Sequence, residues 1–178
     1  GVAGNMGAAT STAANLTLNG GTLRYTGVTA STNRNFVLAT STTSTINITT
    51  NTLTLAGAST NTSGAFIKAG NGTLILGGNN LHTGVTTVSA GTLQLGAAER
   101  ITGSLIVDAT FDMNGFSETV ATLAGTGTVT SSASGSITLT SGNASSTSFT
   151  GIIENGSATS IAVTKLGSGI LALSGANT

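Results

Sequence analysis

The sequence predicts an all-β fold in which short strands stack as the turns of a parallel β-solenoid. Two segments, 68–80 and 165–177, are near copies at an offset of 165 − 68 = 97 residues, and their identities fall on every second residue. A period of two indicates extended backbone with alternate side chains on opposite faces. A recurring unit of this kind favours stacked copies of one β unit over a closed globule.

The identities between the two copies are Lys, Gly, Leu and Asn at matching positions. They are Lys68/Lys165, Gly70/Gly167, Gly72/Gly169, Leu74/Leu171, Leu76/Leu173, Gly78/Gly175 and Asn80/Asn177. The copies predict one long repeat unit over residues 68–164 and the start of the next over residues 165–178. Residues 1–178 are expected to form a single solenoid segment.

A shorter module, roughly Gly-x-Leu-x-Leu, recurs inside the long repeat. It begins at Gly21, Asn51, Gly72, Gly91, Gly135 and Gly169. Two of the gaps between these starts, 72 − 51 = 21 and 91 − 72 = 19, are close to 20 residues, and 135 − 91 = 44 is about two such steps; about 20 residues is the expected size of one solenoid turn. At about 22 residues per turn and ~4.8 Å between stacked strands, the chain would form about eight turns and a rod about 40 Å long.

Alternation within the module predicts which side chains form the core. The inward-facing residues are expected to be leucines, while Thr22, Thr73 and Gln94 face water. The predicted core leucines are Leu23, Leu53, Leu74, Leu76, Leu93, Leu95, Leu171 and Leu173. Further short strands are predicted at Leu16–Leu18, Phe36–Leu38, Ile46–Ile48, Ala65–Lys68, Leu105–Val107, Val120–Leu123 and Ile161–Lys165.

Turn signals separate the predicted strands. Asn-Gly pairs stand at 19–20, 71–72, 114–115 and 155–156. Glycines of the repeat are expected to shape the turns, namely Gly70, Gly72, Gly78, Gly84 and Gly91. Since Asn-Gly is also the strongest hairpin signal, an antiparallel sandwich remains the structural alternative. The absence of proline and the nested repeats favour the solenoid.

Composition excludes several classes of function. Only 6 % of the residues are charged and the formal net charge is zero, so nothing favours nucleic acid or an anionic membrane as a partner. The chain has no Cys, which excludes disulfides and thiolate metal sites. No apolar run approaches the roughly 18 residues that would span a bilayer, so membrane insertion is not expected. The first ten residues lack the features of a signal peptide, and the chain is expected to be part of a longer polypeptide.

The segment 66–96, FIKAGNGTLILGGNNLHTGVTTVSAGTLQLG, closely resembles the passenger-associated transport repeat of bacterial autotransporters. The family pattern reads roughly Lys-x-Gly-x-Gly-Thr-Leu-x-Leu-x-Gly-x-Asn-Thr-Tyr-Thr-Gly-x-Thr-x-Val-x-x-Gly-x-Leu. The matching residues are Lys68, Gly70, Gly72, Thr73, Leu74, Leu76, Gly78, Asn80, Thr83, Gly84, Thr86, Val88, Gly91 and Leu93. The departure is Leu81-His82, where the family usually has Thr-Tyr, and it removes an aromatic ring from the predicted stack.

A second copy of the pattern starts at Val163, and residues 111–127 are similar to the linking strands of proteins rich in these repeats. The resemblance implies a right-handed parallel β-helix. With the number of turns calculated above, the expected fold is a right-handed β-solenoid of about eight turns that is part of a longer repeat array. The resemblance also implies an extracellular location on the bacterial cell surface. The motif contains no catalytic residues, so it implies a fold and a location rather than an activity.

The few charged residues permit a complete search for catalytic groups. The acids are Glu99, Asp108, Asp112, Glu118 and Glu154. Asp108 and Asp112 would be about 13 Å apart on one continuous strand, beyond the roughly 5–9.5 Å of glycosidase carboxylates, so surface or turn roles are expected for both. A polysaccharide-degrading enzyme would need a charged cleft, and no cluster of acids with Lys or Arg is found.

The remaining polar candidates also favour structural roles. His82 is the only histidine, so a multi-histidine metal site is excluded within one chain, and a turn position is expected for it. Lys68 and Lys165 are expected to mark strand ends, with the stem packed and the ammonium in water. Thr-x-Thr pairs such as Thr52/Thr54 and Thr128/Thr130 are similar to those of ice-binding solenoids, but the irregular gaps argue against an ice face.

These observations together predict a non-enzymatic protein without catalytic, cofactor or metal site. The expected function is that of a structural segment of a secreted bacterial surface protein, forming an adhesin stalk or an extracellular filament. Expected partners are neighbouring repeats or copies of the chain end to end, with host or matrix glycans as a further class. The alternative is a glycan- or ice-binding module that uses the Thr/Asn-rich outer face.

Overall fold

The computed structural model describes residues 10–178, which form twenty short strands and one 3-10 turn at Ala13–Asn15. The strands of the first half are β1 (Thr17–Leu18), β2 (Thr22–Tyr25), β3 (Ala30–Thr32), β4 (Val37–Leu38), β5 (Thr43–Ile48), β6 (Thr52–Leu55), β7 (Ala65–Ala69), β8 (Thr73–Leu76), β9 (Thr86–Val88) and β10 (Thr92–Leu95). Those of the second half are β11 (Leu105–Val107), β12 (Thr110–Asp112), β13 (Glu118–Val120), β14 (Leu123–Ala124), β15 (Thr128–Thr130), β16 (Ser136–Gly142), β17 (Thr147–Phe149), β18 (Ile152–Ile153), β19 (Ser160–Leu166) and β20 (Leu171–Leu173).

The strands stack as parallel sheets that run along the axis of a coil. One sheet has seven strands in the order β18-β15-β12-β10-β8-β6-β3, and a second has six in the order β14-β11-β9-β7-β5-β2. A third face contains β13-β16-β19 and, nearer the N-terminus, the bridges that join Phe36 to Ser59 and Ser59 to Asn80. Every strand pair among the described residues is parallel, which excludes the antiparallel sandwich and confirms the parallel β-solenoid.

Residues 10–178 form about seven turns, one for each strand of the seven-stranded sheet, rather than the eight expected for the chain. Turn length varies because the loops vary. Thr92 pairs with Thr110 after 110 − 92 = 18 residues, whereas Thr128 pairs with Ile152 after 152 − 128 = 24 residues. The expected count assumed equal turns over the whole chain, whereas residues 1–9 lie outside the described part.

The core is a set of apolar columns inside the coil. In the seven-stranded sheet, successive paired residues form one column, Leu53, Leu74, Leu93, Phe111, Val129 and Ile153, and all of them are buried. The residues between them along each strand face outward, so alternation along the sequence becomes an inner and an outer surface.

The two near copies occupy different faces of the coil. β7 lies in the six-stranded sheet and β8 in the seven-stranded sheet. β19 lies instead on the third face, and β20 pairs with β17, which the bridge from Gly125 to Phe149 joins to the end of the six-stranded sheet. The offset of 97 residues is therefore not a whole number of turns. What the copies share is a corner between two strands.

In residues 10–178, none of the helical segments is both long and apolar enough to pass through a bilayer.

Candidate functional site

The predicted core leucines lie at three levels of the coil. Leu53, Leu74, Leu76, Leu93 and Leu95 lie in the middle turns and are fully buried. Leu23, in the first turns, and Leu171, in the last strand, are partly buried against the core. Leu173 keeps 40 % of its surface exposed, because it stacks on Phe149 on one side and no described turn lies on the other.

The predicted turn glycines lie where the backbone of one turn passes close to the next. Gly70 and Gly91 adopt left-handed backbone with φ of 76° and 63°, which L side chains rarely adopt. A Cβ atom on Gly72 would lie 2.6 Å from the Asn51 carbonyl oxygen of the preceding turn, closer than real contacts allow. Gly78 and Gly84 lie directly against the backbone of Gly57 and Gly64.

Lys68 is the most unusual residue of the inner surface. It is fully buried in a column between Ile46 and Val88, so the expectation of an ammonium in water is wrong. Its Nζ donates to the carbonyl oxygens of Ala69, Gly70 and Ala90 at 3.1, 2.8 and 2.9 Å. Three acceptors match the three donors of an ammonium, and the third joins β7 to the following turn. Desolvation by burial lowers the pKa of Lys68 to about 8.

Lys165 forms a related but different set of hydrogen bonds. Its Nζ donates to the carbonyl oxygens of Leu166 and Gly167, which occupy the positions of Ala69 and Gly70 in the second copy. Its further acceptor is the Asn143 carbonyl of the preceding turn, at 3.4 Å.

His82 lies in the loop between β8 and β9, as expected, but its side chain is fully buried. Its ring contacts Phe66 edge to face at 5.4 Å between centroids, so His82 restores part of the aromatic contact that the sequence comparison predicted to be lost. Nε2 lies 3.0 Å from Thr86 Oγ1, and Nδ1 has no hydrogen-bond partner. Desolvation by burial lowers the pKa of His82 to about 4, so the imidazole is neutral at pH 7.

Glu118 holds the backbone of the preceding turn. It is buried and accepts hydrogen bonds from the amides of Arg100 at 2.8 Å and Ile101 at 3.1 Å. Desolvation by burial, with a smaller contribution from the charge of Glu99, raises the pKa of Glu118 to about 7 against the opposing effect of these amides.

Asp112 joins three turns. One carboxylate oxygen accepts hydrogen bonds from the Asn114 and Ser132 amides, both at 2.8 Å, and the other accepts one from Gln94 Nε2 at 2.7 Å. The turn role expected for Asp112 fits these contacts, but the residue is buried rather than at the surface. Asp108 is exposed and accepts a hydrogen bond from the Thr126 amide, so the two acids brace different loops.

The charged residues do not converge on a cleft. No group of three or more His, Cys, Asp or Glu residues able to hold a metal is found between residues 10 and 178. Two shallow depressions lie at opposite ends of the coil. One is lined by apolar residues with Arg24 and Arg34, the other by residues that include Ile153, Val163 and Leu173, and no carboxylate side chain lines either one.

A row of threonines runs along the outside of the seven-stranded sheet. Its members pair in register across five consecutive strands and are half-buried: Thr52, Thr73, Thr92, Thr110 and Thr128. The irregular sequence gaps do not disturb this row, because the loops absorb them. The second position of the Thr-x-Thr pair does not form a threonine row. Across the same five strands this position is occupied by Thr54, Ile75, Gln94, Asp112 and Thr130 in turn.

Sequence reasoning missed the burial of Lys68, His82, Asp112 and Glu118. Their types predict surface positions. The only local signal for Lys68 is its place in the alternating pattern, where it takes an inward position in Phe66-Ile67-Lys68. No such signal exists for His82.

Comparison with known proteins gives one family match and one curated relative. The model of the passenger-associated-transport-repeat matches residues 66–95 and 163–178. The adhesin BmaC autotransporter of Brucella suis biovar 1 (strain 1330) is 37 % identical over 161 residues, covering 86 % of this chain. The match spans 5 % of that protein's length. No solved structure gives a significant match. The repeats and the parallel coil together confirm the resemblance seen in the sequence: residues 66–95 and 163–178 are passenger-associated-transport repeats, and the chain is similar to a segment of an autotransporter adhesin.

Proposed function

We propose that this chain is a structural β-solenoid segment of a bacterial surface protein and forms the stalk that carries an adhesin away from the cell. The observation that carries the proposal is the stack of seven strands in register, with one continuous column of apolar side chains behind it. Such a stack transmits force from turn to turn through backbone hydrogen bonds. Localisation at the cell surface is part of the proposal and is supported by the adhesin relative.

A non-enzymatic role is supported by what the polar groups do. The buried Asp112 accepts hydrogen bonds from one amide of its own turn and one of the next, and the buried Glu118 accepts two from the preceding turn. Lys68 donates to three carbonyl oxygens. These groups hold the coil together, and none of them faces an open cleft. Partners of the stalk are then neighbouring repeats or further copies placed end to end, as in a filament. Host or matrix glycans belong to the second candidate function described below.

A rigid stalk is tested by measuring the spread of an end-to-end distance. The chain has no Cys, so spin labels can be placed at Ser31→Cys and Ile152→Cys, two exposed positions on the first and last strands of the seven-stranded sheet. Ile152 lies in the row of Thr52 and Ser31 in the row of Thr54, two residues along the strand. Six strand spacings of ~4.8 Å and this offset of ~6.6 Å predict a single narrow distribution of backbone distances at about 30 Å. A broad distribution would contradict a stalk, and adding Leu74→Asp to the pair should broaden it.

The threonine row favours glycan binding as a second candidate function. Regularly spaced hydroxyls on an extended face provide donors and acceptors for sugar hydroxyls. The stalk proposal expects no saturable binding of chain 1–178 to a glycan array or to host cells. Saturable binding that disappears in Thr73→Val/Thr92→Val, a pair that keeps the β-branched shape, would favour the glycan module instead. Ile75→Val is the matched control on the same face.

A further inference from the structure

The Asn-Gly pairs that separate the predicted strands are also positions at which a protein chain can modify itself. The backbone nitrogen of the glycine attacks Cγ of the asparagine, and the absence of a Cβ on glycine leaves this approach unobstructed. The new C–N bond closes a succinimide ring, and Nδ2 leaves as ammonia with the proton of the glycine N–H. Water then opens the ring to aspartate or, in larger amount, to isoaspartate. The reaction therefore needs a glycine nitrogen that no other contact holds.

Three of the four glycine nitrogens are held by a neighbouring turn of the coil. The hydrogen bonds run from Gly20 to Ser44 Oγ at 3.0 Å, from Gly72 to the Ile48 carbonyl oxygen at 2.9 Å and from Gly115 to Ser131 Oγ at 2.9 Å. An amide donated in this way becomes free to react only when two turns separate locally. The fold therefore protects these three pairs.

The fourth pair, Asn155-Gly156, lacks this protection. Within residues 10–178 the Gly156 amide donates to no acceptor, and the glycine is exposed. Asn155 Oδ1 accepts a hydrogen bond from the Ile161 amide at 2.8 Å. This bond polarises the side-chain carbonyl and stabilises the negative charge that develops on Oδ1 during the attack, as a donor in an oxyanion hole does. The pair thus combines a free nitrogen with an activated carbon.

The loop that contains this pair joins β18 to β19 and is tied to the preceding turn. The Ser157 amide donates to the Ser131 carbonyl oxygen at 2.7 Å. The backbone has no spare room here, since a Cβ on Gly156 would lie 2.4 Å from Thr130 Oγ1. Isoaspartate adds one methylene group to the main chain directly before these contacts, whereas aspartate keeps the length of the backbone. Isoaspartate would therefore displace the Ser157 amide from its acceptor.

We propose that Asn155 is a self-modification site, at which this chain deamidates through the Gly156 nitrogen, and that the isoaspartate product releases the β18–β19 loop from the preceding turn. Each event consumes one water, releases one ammonia and adds one negative charge to the chain. The reaction takes place whether the coil serves as a stalk or binds glycans.

Tandem mass spectrometry of chain 1–178 held at mildly alkaline pH measures the modification of each asparagine. In the folded chain Asn155 should react at least about tenfold faster than the other three pairs, which must first open locally. In the urea-unfolded chain the four rates should agree within about threefold, because the protecting contacts are lost. Equal rates in the folded chain, a faster rate at another pair or no modification of the folded chain would each overturn the proposal.

Ser44→Ala tests whether the hydrogen bond to the glycine nitrogen sets the rate. The substitution removes the acceptor of the Gly20 amide and should speed modification of Asn19 by about threefold or more, without changing the rate at Asn155. An unchanged rate at Asn19 would refute the protection that distinguishes the four pairs.

The effect on the loop is measured on the product, which ion-exchange chromatography separates by its additional carboxylate. In the isoaspartate product, hydrogen exchange of the Ser157 amide should be faster by about tenfold or more. Asn155→Asp is the matched control, because it adds the same charge without lengthening the main chain, and its exchange should stay within about twofold of the parent. Unchanged exchange in the isoaspartate product, or equally fast exchange in Asn155→Asp, would overturn the release of the loop.

Discussion

Leu74→Ala tests whether the apolar columns hold the coil together. Leu74 is fully buried and lies in register between Leu53 and Leu93, so the substitution opens a cavity in the middle of the column. Replacing a buried leucine by alanine lowers the free energy of unfolding by about 2–5 kcal/mol, and we use a central value of about 3 kcal/mol for Leu74. For a domain of this length the expected loss in Tm is about 6–12 °C.

Thermal and urea denaturation followed by far-UV circular dichroism measure this loss. Ile170→Ala is the matched control, because Ile170 is 68 % exposed and belongs to the same Gly-x-Leu-x-Leu context in the second copy. Its Tm should change by less than about 2 °C. If Leu74→Ala lowers Tm no more than Ile170→Ala does, the columns do not carry the stability of the coil. Leu74→Asp, which buries a carboxylate without a partner, should abolish the cooperative transition.

Four further predictions concern turns and buried polar groups. Gly72→Ala should lower stability by about 2 kcal/mol in urea denaturation because its Cβ meets the preceding turn, whereas Gly21→Ala, with no atom within 4 Å, should be neutral. Lys68→Met should lower stability by about 2–3 kcal/mol at pH 7, since it leaves three carbonyl oxygens without their donor. Because the folded-state pKa of Lys68 is lowered to about 8, the stability of the parent chain relative to Lys68→Met should rise between pH 8 and 10.5, and a flat difference would contradict the buried ammonium. The pKa of His82 is also lowered by folding, to about 4, so the stability of the parent relative to His82→Phe should likewise rise as pH increases from 4 to 6.5. For Glu118 the pH dependence is reversed, because folding raises its pKa to about 7. The stability of the parent relative to Glu118→Gln should therefore fall as pH rises from 4.5 to 7, as measured by urea denaturation at each pH.

The sequence predicted the path of the chain better than the details of its surface. Alternation identified the inward leucines of the middle turns because one side of each strand must be apolar, whatever the length of the loops. The exposure of Leu173 could not be predicted, since cover depends on a neighbouring turn and not on the strand itself. The threonine row was also missed, because sequence gaps include loops whose lengths do not alter which residues pair.

The polar contacts escaped prediction for a different reason. Whether a Lys or a Glu is buried depends on the carbonyls and amides that other turns bring to it. For Lys68 the decisive acceptor, Ala90, is 90 − 68 = 22 residues away, and for Glu118 the donors lie 17 and 18 residues earlier. No local pattern contains that information. The resemblance to a repeat family predicted the fold and left these contacts open.

The buried polar groups favour one register between neighbouring turns. Leucines recur at every second position, so a slip of two residues would place Leu74 against Leu55 instead of Leu53 and leave the apolar contact nearly unchanged. The same slip moves the backbone by about 6.6 Å, which takes Ala90 out of reach of Lys68. A slip of two residues between their turns would likewise move the Ser132 amide out of hydrogen-bond distance of the Asp112 carboxylate. The apolar columns alone therefore do not specify one alignment of these turns, whereas the contacts of the buried Lys68 and Asp112 favour the observed one. The predicted consequence is that Lys68→Met should populate shifted pairings, visible as extra amide resonances in β7 and β9, whereas Leu74→Ala should weaken a single alignment without adding a second.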